Sequence, residues 1–166
     1  MVRGNAVATC EFEQSLVKRR TKMASQPNFP GGWVVTASNL QAIEPATALA
    51  PTLIVDGSQP FDLAVDVAGT GVFWILLEAF GFGFTVDYYA ERFGVEPAVP
   101  PAGEQDLGQV AVVMAAGGSP YTLPATTLNI PANTLAAGVY RIMCMVRWGV
   151  GITAFPEEEL LIEVYY

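Results

Sequence analysis

The chain has 166 residues, of which 52% are hydrophobic and only 14% are charged, and its formal net charge is −8. An acidic chain of this kind repels phosphate, so nucleic-acid binding is not expected. The sequence contains no histidine, which excludes Ser-His-Asp and Cys-His catalysis and most catalytic zinc sites. The low charge content indicates that part of the surface is uncharged or is covered by another chain.

Charge divides the chain near Met23. Residues 1–22 have a net charge of +3, and residues 23–166 have a net charge of −11. Proline and glycine between 27 and 32 then break any helix. We therefore predict a flexible basic N-terminal tail over residues 1–32 and a single folded domain over residues 33–166. The first 22 residues lack the apolar segment of a signal peptide, so the cytoplasm is the expected compartment.

Apolar runs separated by proline and glycine follow the tail, and they predict an all-β fold of about seven to nine strands. The run from Val72 to Phe80 is apolar on both faces, which predicts either a central strand or a strand with a covered outer face, with Glu78 at its exposed end. The most apolar stretch, from Val72 to Phe84, is too short to span a bilayer and contains Glu78, so no membrane span is expected. The predicted strands are 33–36, 53–55, 61–67, 72–80, 84–91, 109–115, 126–130, 138–148 and 158–166.

The last two predicted strands alternate clearly and suit a hairpin. If Tyr140 lies opposite Tyr166, the inner face also pairs Ile142 with Val164, Cys144 with Ile162 and Val146 with Leu160. A slip of one residue would turn the glutamates of the last strand into the core. We therefore predict this register for the terminal hairpin.

The segment from Leu135 to Tyr140 has the spacing L-x-x-G-x-Y. This spacing resembles the tyrosine corner of immunoglobulin-like and fibronectin-type sandwiches, in which the tyrosine hydroxyl bonds back to nearby backbone. The resemblance implies an immunoglobulin-like Greek-key β-sandwich, with Trp74 as its core tryptophan. It implies no function.

The same register predicts a contact surface on the outer face of the hairpin, because apolar side chains would lie there between charged ends. Alternatively, the loop 94–107 folds over this face. Phe82, between two glycines of a predicted hairpin tip, is a further candidate contact. The predicted outer pairs are Arg141 with Tyr165, Met143 with Glu163, Met145 with Leu161, and Arg147 with Glu159.

These features favour a non-catalytic structural or assembly subunit that self-associates or binds another protein. A sandwich that binds carbohydrate or another small ligand is the alternative, with Tyr89, Tyr121 or Tyr165 stacking on a sugar. A small hydrolase that uses carboxylates such as Glu78 is less favoured. The sequence identifies no catalytic residue and no cofactor. A calcium site built from Asp56, Glu104 and Asp106 stays open.

Overall fold

The structure is a computed structural model, and it describes residues 34–44, 51–94, 104–149, 152–156 and 159–166. The predicted tail lies outside these residues. The described part of the chain forms one helix and ten strands. In chain order they are β1 (Val34–Ile43), β2 (Pro51–Thr52), β3 (Ile54–Asp56), β4 (Phe61–Thr70), α1 (Val72–Ala79), β5 (Gly83–Arg92), β6 (Glu104–Val113), β7 (Leu128–Ile130), β8 (Gly138–Trp148), β9 (Ile152–Ala154) and β10 (Leu160–Tyr165).

The strands form two sheets, which confirms the predicted all-β sandwich. One sheet has the order β2-β1-β4-β7, and the other has the order β3-β10-β8-β5-β6 with β9 paired to β8. All pairings are antiparallel except that of β3, which runs parallel to β10. This strand order agrees with an immunoglobulin-type Greek-key arrangement.

The core lies between the two sheets and follows from the alternation of the strands. In β8, Tyr140, Ile142, Cys144 and Val146 are buried, whereas the residues between them are half-buried or exposed. In β10, every second residue from Leu160 is buried in the same way. The predicted inner faces of both strands therefore match the structure except at Tyr166, which lies beyond the end of β10 and is 58% exposed.

The crossing into β8 is held by Tyr140. Its ring is buried, and its hydroxyl donates a hydrogen bond to the carbonyl oxygen of Ala136 at 2.9 Å. Gly138, between them, has φ of 156°. A bond from the tyrosine hydroxyl to backbone a few residues upstream is what the L-x-x-G-x-Y resemblance implies.

The pairing of β5 with β6 contains a β-bulge. Tyr88 lies opposite Gly108 and Tyr89 lies opposite Asp106, so Leu107 is an extra residue in β6. Gly108 has φ of 121°, which favours glycine, and its amide donates to the carboxylate of Asp106 at 2.9 Å. The bulge divides β6 into segments of three and six residues on either side of Leu107.

The predicted strand 72–80 is wrong, because residues 72–79 form the helix α1. Its buried residues Trp74, Leu77 and Glu78 have the i, i+3, i+4 spacing of a helix face. Trp74 is a core tryptophan, as the resemblance implies, but it reaches the core from a helix between β4 and β5.

The predicted position of Glu78 is also wrong. Glu78 is buried, and its carboxylate accepts hydrogen bonds from the indole of Trp74 at 2.8 Å and from the amide of Ser119 at 3.0 Å. The Tyr121 hydroxyl donates to it at 3.2 Å and the Gly117 amide at 3.3 Å. These donors replace the water that a buried carboxylate loses.

The predicted register of the terminal hairpin is wrong by four residues. Leu160 lies opposite Ile142, and Ile162 lies opposite Tyr140. A slip by an even number of residues keeps every side chain on its own face, so alternation does not detect it. The short strand β9 sets the register, because it pairs Ala154 with Val146 and takes the end of β8 that β10 was predicted to occupy.

Candidate interaction surfaces

The outward side of α1 is apolar along its whole length. At 100° per residue, this side lies opposite the buried Trp74, Leu77 and Glu78. We call the surface the α1 face; it consists of Val72 (70% exposed), Phe73 (46%), Ile75 (62%), Leu76 (44%), Phe80 (73%) and Phe82 (55%). No charged side chain of α1 points outward, since Glu78 is its only charged residue and is buried.

Two contacts hold α1 rigidly against the sandwich. A Cβ added to Gly69 would lie 2.0 Å from the Trp74 ring, so the indole packs directly on the β4 backbone. The hydrogen bonds of Glu78 join the other end of the helix to residues 117–121. The α1 face is therefore presented by a fixed element of the fold.

A second surface lies on the outer side of the sheet that contains β8, at the point where β8 stops pairing with β10 and begins to pair with β9. On this side of β8, pairing with β10 ends at Ile142 and pairing with β9 begins at Val146. After β9, the chain moves toward β1, and Pro156 bridges to Ala37. A cavity of about 370 Å³ opens at this change of partner. We call it the Met groove; it is lined by Tyr89, Ile142, Met143, Cys144, Met145, Phe155, Pro156 and Glu159.

Ion pairs surround the Met groove. The Arg147 guanidinium donates to both oxygens of Asp87 at 2.5 Å. Arg141 donates from two of its nitrogens to Glu91, and its Nη1 lies 3.5 Å from Glu159. These hydrogen bonds raise the pKa of both guanidinium groups, chiefly through Asp87 for Arg147 and through Glu91 for Arg141.

The structure separates most residues of the predicted contact surface. Leu161 lies opposite Arg141, and Glu163 lies opposite Val139. Tyr165 is exposed beside β3, where it pairs with Asp56. Met143 and Met145 stay side by side and half-buried, and they form the floor of the Met groove. The contact role of these residues remains a prediction.

The remaining predicted features have different outcomes. Phe82 is exposed, but it follows α1 instead of forming a hairpin tip, and its ring centroid lies 6.5 Å from that of Phe80. The predicted loop cover falls partly on residues 95–103, outside the described residues. The described residues 104–107 of that predicted loop belong to β6, and Phe155 and Pro156 are part of the groove lining.

Tyr121 does not have the position that sugar stacking requires. It is buried beside Glu78, its ring packs against Phe84 with centroids 5.4 Å apart, and burial raises the pKa of its hydroxyl. Tyr89 and Tyr165 remain partly accessible. The carbohydrate hypothesis therefore loses one of its three predicted aromatic residues.

The described residues also bear on the alternative chemistries. Burial raises the pKa of the Cys144 thiol to about 12, so the thiol stays protonated and is a poor nucleophile at neutral pH. Asp56 and Asp106 lie on β3 and β6, the two end strands of one sheet, so they do not share a calcium site. Within the described ranges, no three acidic or cysteine side chains are grouped as metal ligands.

No family model matches the sequence, and no curated protein matches it. Among solved structures, a β-glucosidase from Listeria innocua in complex with glucose is similar, with 10% identity and a TM-score of 0.47 over 82% of this chain and 16% of that chain. An immunoglobulin-like protein from Pseudomonas aeruginosa has 18% identity and a TM-score of 0.35, over 79% of this chain and 96% of that chain.

A β-glucosidase from Kluyveromyces marxianus has 14% identity and a TM-score of 0.36, over 81% of this chain and 15% of that chain. This chain therefore spans about a sixth of the length of the β-glucosidases. Every TM-score is below 0.5, so these likenesses assign no function.

None of the described residues forms a helix with the length and apolar character needed to cross a membrane.

Proposed function

We propose that this protein is a non-catalytic assembly subunit that associates with further copies of itself through the α1 face. The observation that carries the proposal is the exposure of an entire apolar helix side. An amphipathic surface helix places charged and polar residues toward water. In α1 the single charged residue faces inward and the large apolar residues face outward, so contact with another apolar surface is favoured.

The area of the α1 face suits such a contact. With ~150–200 Å² for a fully exposed large apolar side chain, the exposed fractions of its six residues amount to roughly 600 Å². An apolar patch of that size is at the upper end for a monomer. It approaches the ~800 Å² per partner of a standard protein–protein interface.

The uncharged character of the α1 face suits a second copy as the occupant, although the molecule as a whole is acidic. Two copies that each have a net charge of −8 repel one another wherever their acidic surfaces meet. The α1 face contributes no exposed charge, so it is a place where two copies approach closely at little electrostatic cost. A twofold arrangement brings the same apolar residues of both copies together.

The chain's own N-terminal segment is the competing occupant. Val34 lies opposite Thr70, two residues before α1 begins, so the chain enters the sandwich beside the helix. A basic segment gains no charge attraction from a face without exposed carboxylates. This competitor makes a different prediction, because it covers the α1 face in a monomer.

The test is the native mass of the full chain by size exclusion with light scattering, from about 1 to 100 µM, the range of moderate self-association. We expect a multiple of 17.7 kDa for the full chain. Ile75→Glu places a charge in the centre of the α1 face and should return the mass to 17.7 kDa with the same circular dichroism. Leu53→Glu is the matched control, because Leu53 is 63% exposed near β3.

Several outcomes decide against the proposal. A full chain of 17.7 kDa at all concentrations overturns self-association. If that monomer associates only after residues 1–22 are removed, the N-terminal segment is the cover. If Leu53→Glu and Ile75→Glu disrupt an assembly equally, the contact is not specific to the α1 face.

A further inference from the structure

The Met groove is a concave apolar site of a size that suits a small molecule. Its volume of about 370 Å³ lies within the usual range of ligand pockets. Half-buried Met143 and Met145 form the floor, and Tyr89 and Phe155 supply aromatic surface. Methionine side chains adapt to ligands of irregular shape, and their polarisable sulfur favours contact with aromatic groups.

The charge around the groove is unequal. Arg147 is matched by Asp87, but Arg141 faces the two carboxylates of Glu91 and Glu159. Glu91 is the principal partner, because it accepts from two nitrogens of Arg141, whereas Glu159 contacts only Nη1 at 3.5 Å. The side chain of Glu159 is 70% exposed and lines the groove, so among the described residues its charge is only partly balanced by Arg141.

We propose that the Met groove binds an organic ammonium ion that has a compact apolar or aromatic body. The apolar body rests on the methionine floor, and the positive charge lies toward the Glu159 carboxylate and the adjacent aromatic rings. Aromatic faces attract ammonium groups through their quadrupole, and a partly desolvated site strengthens the attraction. An anionic ligand of the same shape is repelled both by the Glu159 carboxylate and by the net charge of −8 of the chain.

The ligand site is separate from the proposed self-association. None of the groove residues belongs to the α1 face, and the groove lies on the outer side of the sheet that contains β5 and β8. The binding experiment therefore uses the full chain in whatever assembly state it has. Variants of the groove leave the α1 face unchanged.

The test is a titration of the full chain, labelled at the methionine methyl groups, followed by NMR. The probe is benzyltrimethylammonium chloride, and benzyl alcohol and phenylacetate are the neutral and anionic controls. Met143→Leu and Met145→Leu assign the two groove signals. We expect saturable shifts of those two signals with the ammonium and clearly weaker binding of both controls.

Glu159→Gln keeps the size of the side chain and removes its charge, and we expect it to weaken ammonium binding about fivefold. Glu163→Gln, an exposed residue of β10 outside the groove, is the matched control and should leave the affinity unchanged. Equal binding of benzyl alcohol, or an unchanged affinity in Glu159→Gln, would show that charge plays no part and would overturn the proposal. Tighter binding of phenylacetate, or no shift of the Met143 and Met145 signals, would overturn it as well.

Discussion

The α1 face and the Met groove are both apolar, but they differ in shape and in their treatment of charge. The α1 face is the outward side of a helix, and the only carboxylate of that helix is turned inward to four donors. The Met groove is concave, and the exposed Glu159 at its edge pairs with Arg141. A protruding apolar surface is covered only by another large surface, whereas a concave one can be filled by a small molecule. The two surfaces therefore suit occupants of different size.

Removing the Trp74 ring should disturb the α1 face and leave the Met groove intact. Trp74→Ala deletes a buried indole between α1 and the β4 backbone, and we expect a loss of about 3–5 kcal/mol in the free energy of unfolding. Self-association should weaken because the helix loses its rigid support. Ammonium binding at the Met groove should persist at temperatures where the variant is folded. Urea denaturation followed by tryptophan fluorescence measures the stability, and equal loss of both activities would show that the surfaces are not independent.

High pH should destabilise the fold by ionising Cys144, whose buried thiol lies at the Met groove. The pKa of the folded thiol is raised to about 12 from an ordinary value of 9.0, because burial disfavours the thiolate. The contribution of the protonated Cys144 thiol to the free energy of unfolding is complete below pH 9 and is lost as the pH rises toward 12. The slope is about 1.4 kcal/mol per pH unit. Urea denaturation at several pH values should show a smaller loss for Cys144→Ala than for the natural chain.

The tyrosines provide a background to this measurement. Burial also raises the pKa values of Tyr88, Tyr121 and Tyr140, so they destabilise the fold in the same direction at high pH. The contribution of the thiol is the difference between the natural chain and Cys144→Ala. Identical pH profiles for the two proteins would contradict the assignment.

Glu78→Gln tests whether the inward carboxylate supports the α1 face. The amide nitrogen of glutamine would meet a backbone amide or the indole N–H, so one donor would lose its acceptor. We expect a cost of about 1–3 kcal/mol in the free energy of unfolding. We also expect this variant to self-associate more weakly and to bind the ammonium ion as the natural chain does. A variant as stable as the natural chain would show that the charge of Glu78 is not needed for its hydrogen bonds.

Salt should separate the two surfaces by the sign of its effect. Association through an uncharged face between copies of charge −8 should strengthen as salt screens their repulsion. Ammonium binding near the exposed Glu159 should weaken over the same range. Light scattering and the NMR titration between about 0.02 and 0.5 M sodium chloride measure the two effects, each expected within about tenfold. If salt changed self-association and ammonium binding in the same direction, the two surfaces would not differ in their charge as described.

The sheet architecture could be predicted because the strands alternate. The structure places β8 over Gly138–Trp148, the same two boundary residues that the alternation predicts. The inward residues of β8 and β10 were also predicted correctly, apart from Tyr166 beyond the end of β10. Burial of one sheet face selects residues at every second position, so this information is present in the sequence.

The sequence predicted Met143, Met145 and Phe82 as contact residues, but the complete α1 face and the Met groove could not be predicted, for two physical reasons. The segment 72–80 is apolar at almost every position, so neither a strand period nor a helix period is visible. Its helix-forming residues, such as Leu76, Leu77 and Ala79, were the available signal. The Met groove depends on the register of β10 and on the short β9, which alternation alone does not determine.

The bulge at Leu107 has a consequence for how copies of this chain can be joined. β6 ends its sheet within the described strands, and an unpaired strand edge is a template for continuous hydrogen bonding from chain to chain. The extra residue and the φ of 121° at Gly108 interrupt the ladder, so an incoming strand can pair with only part of β6. Growth into cross-β fibrils is thereby discouraged at this edge. An edge of this kind is compatible with the proposed association through side-chain contacts at the α1 face.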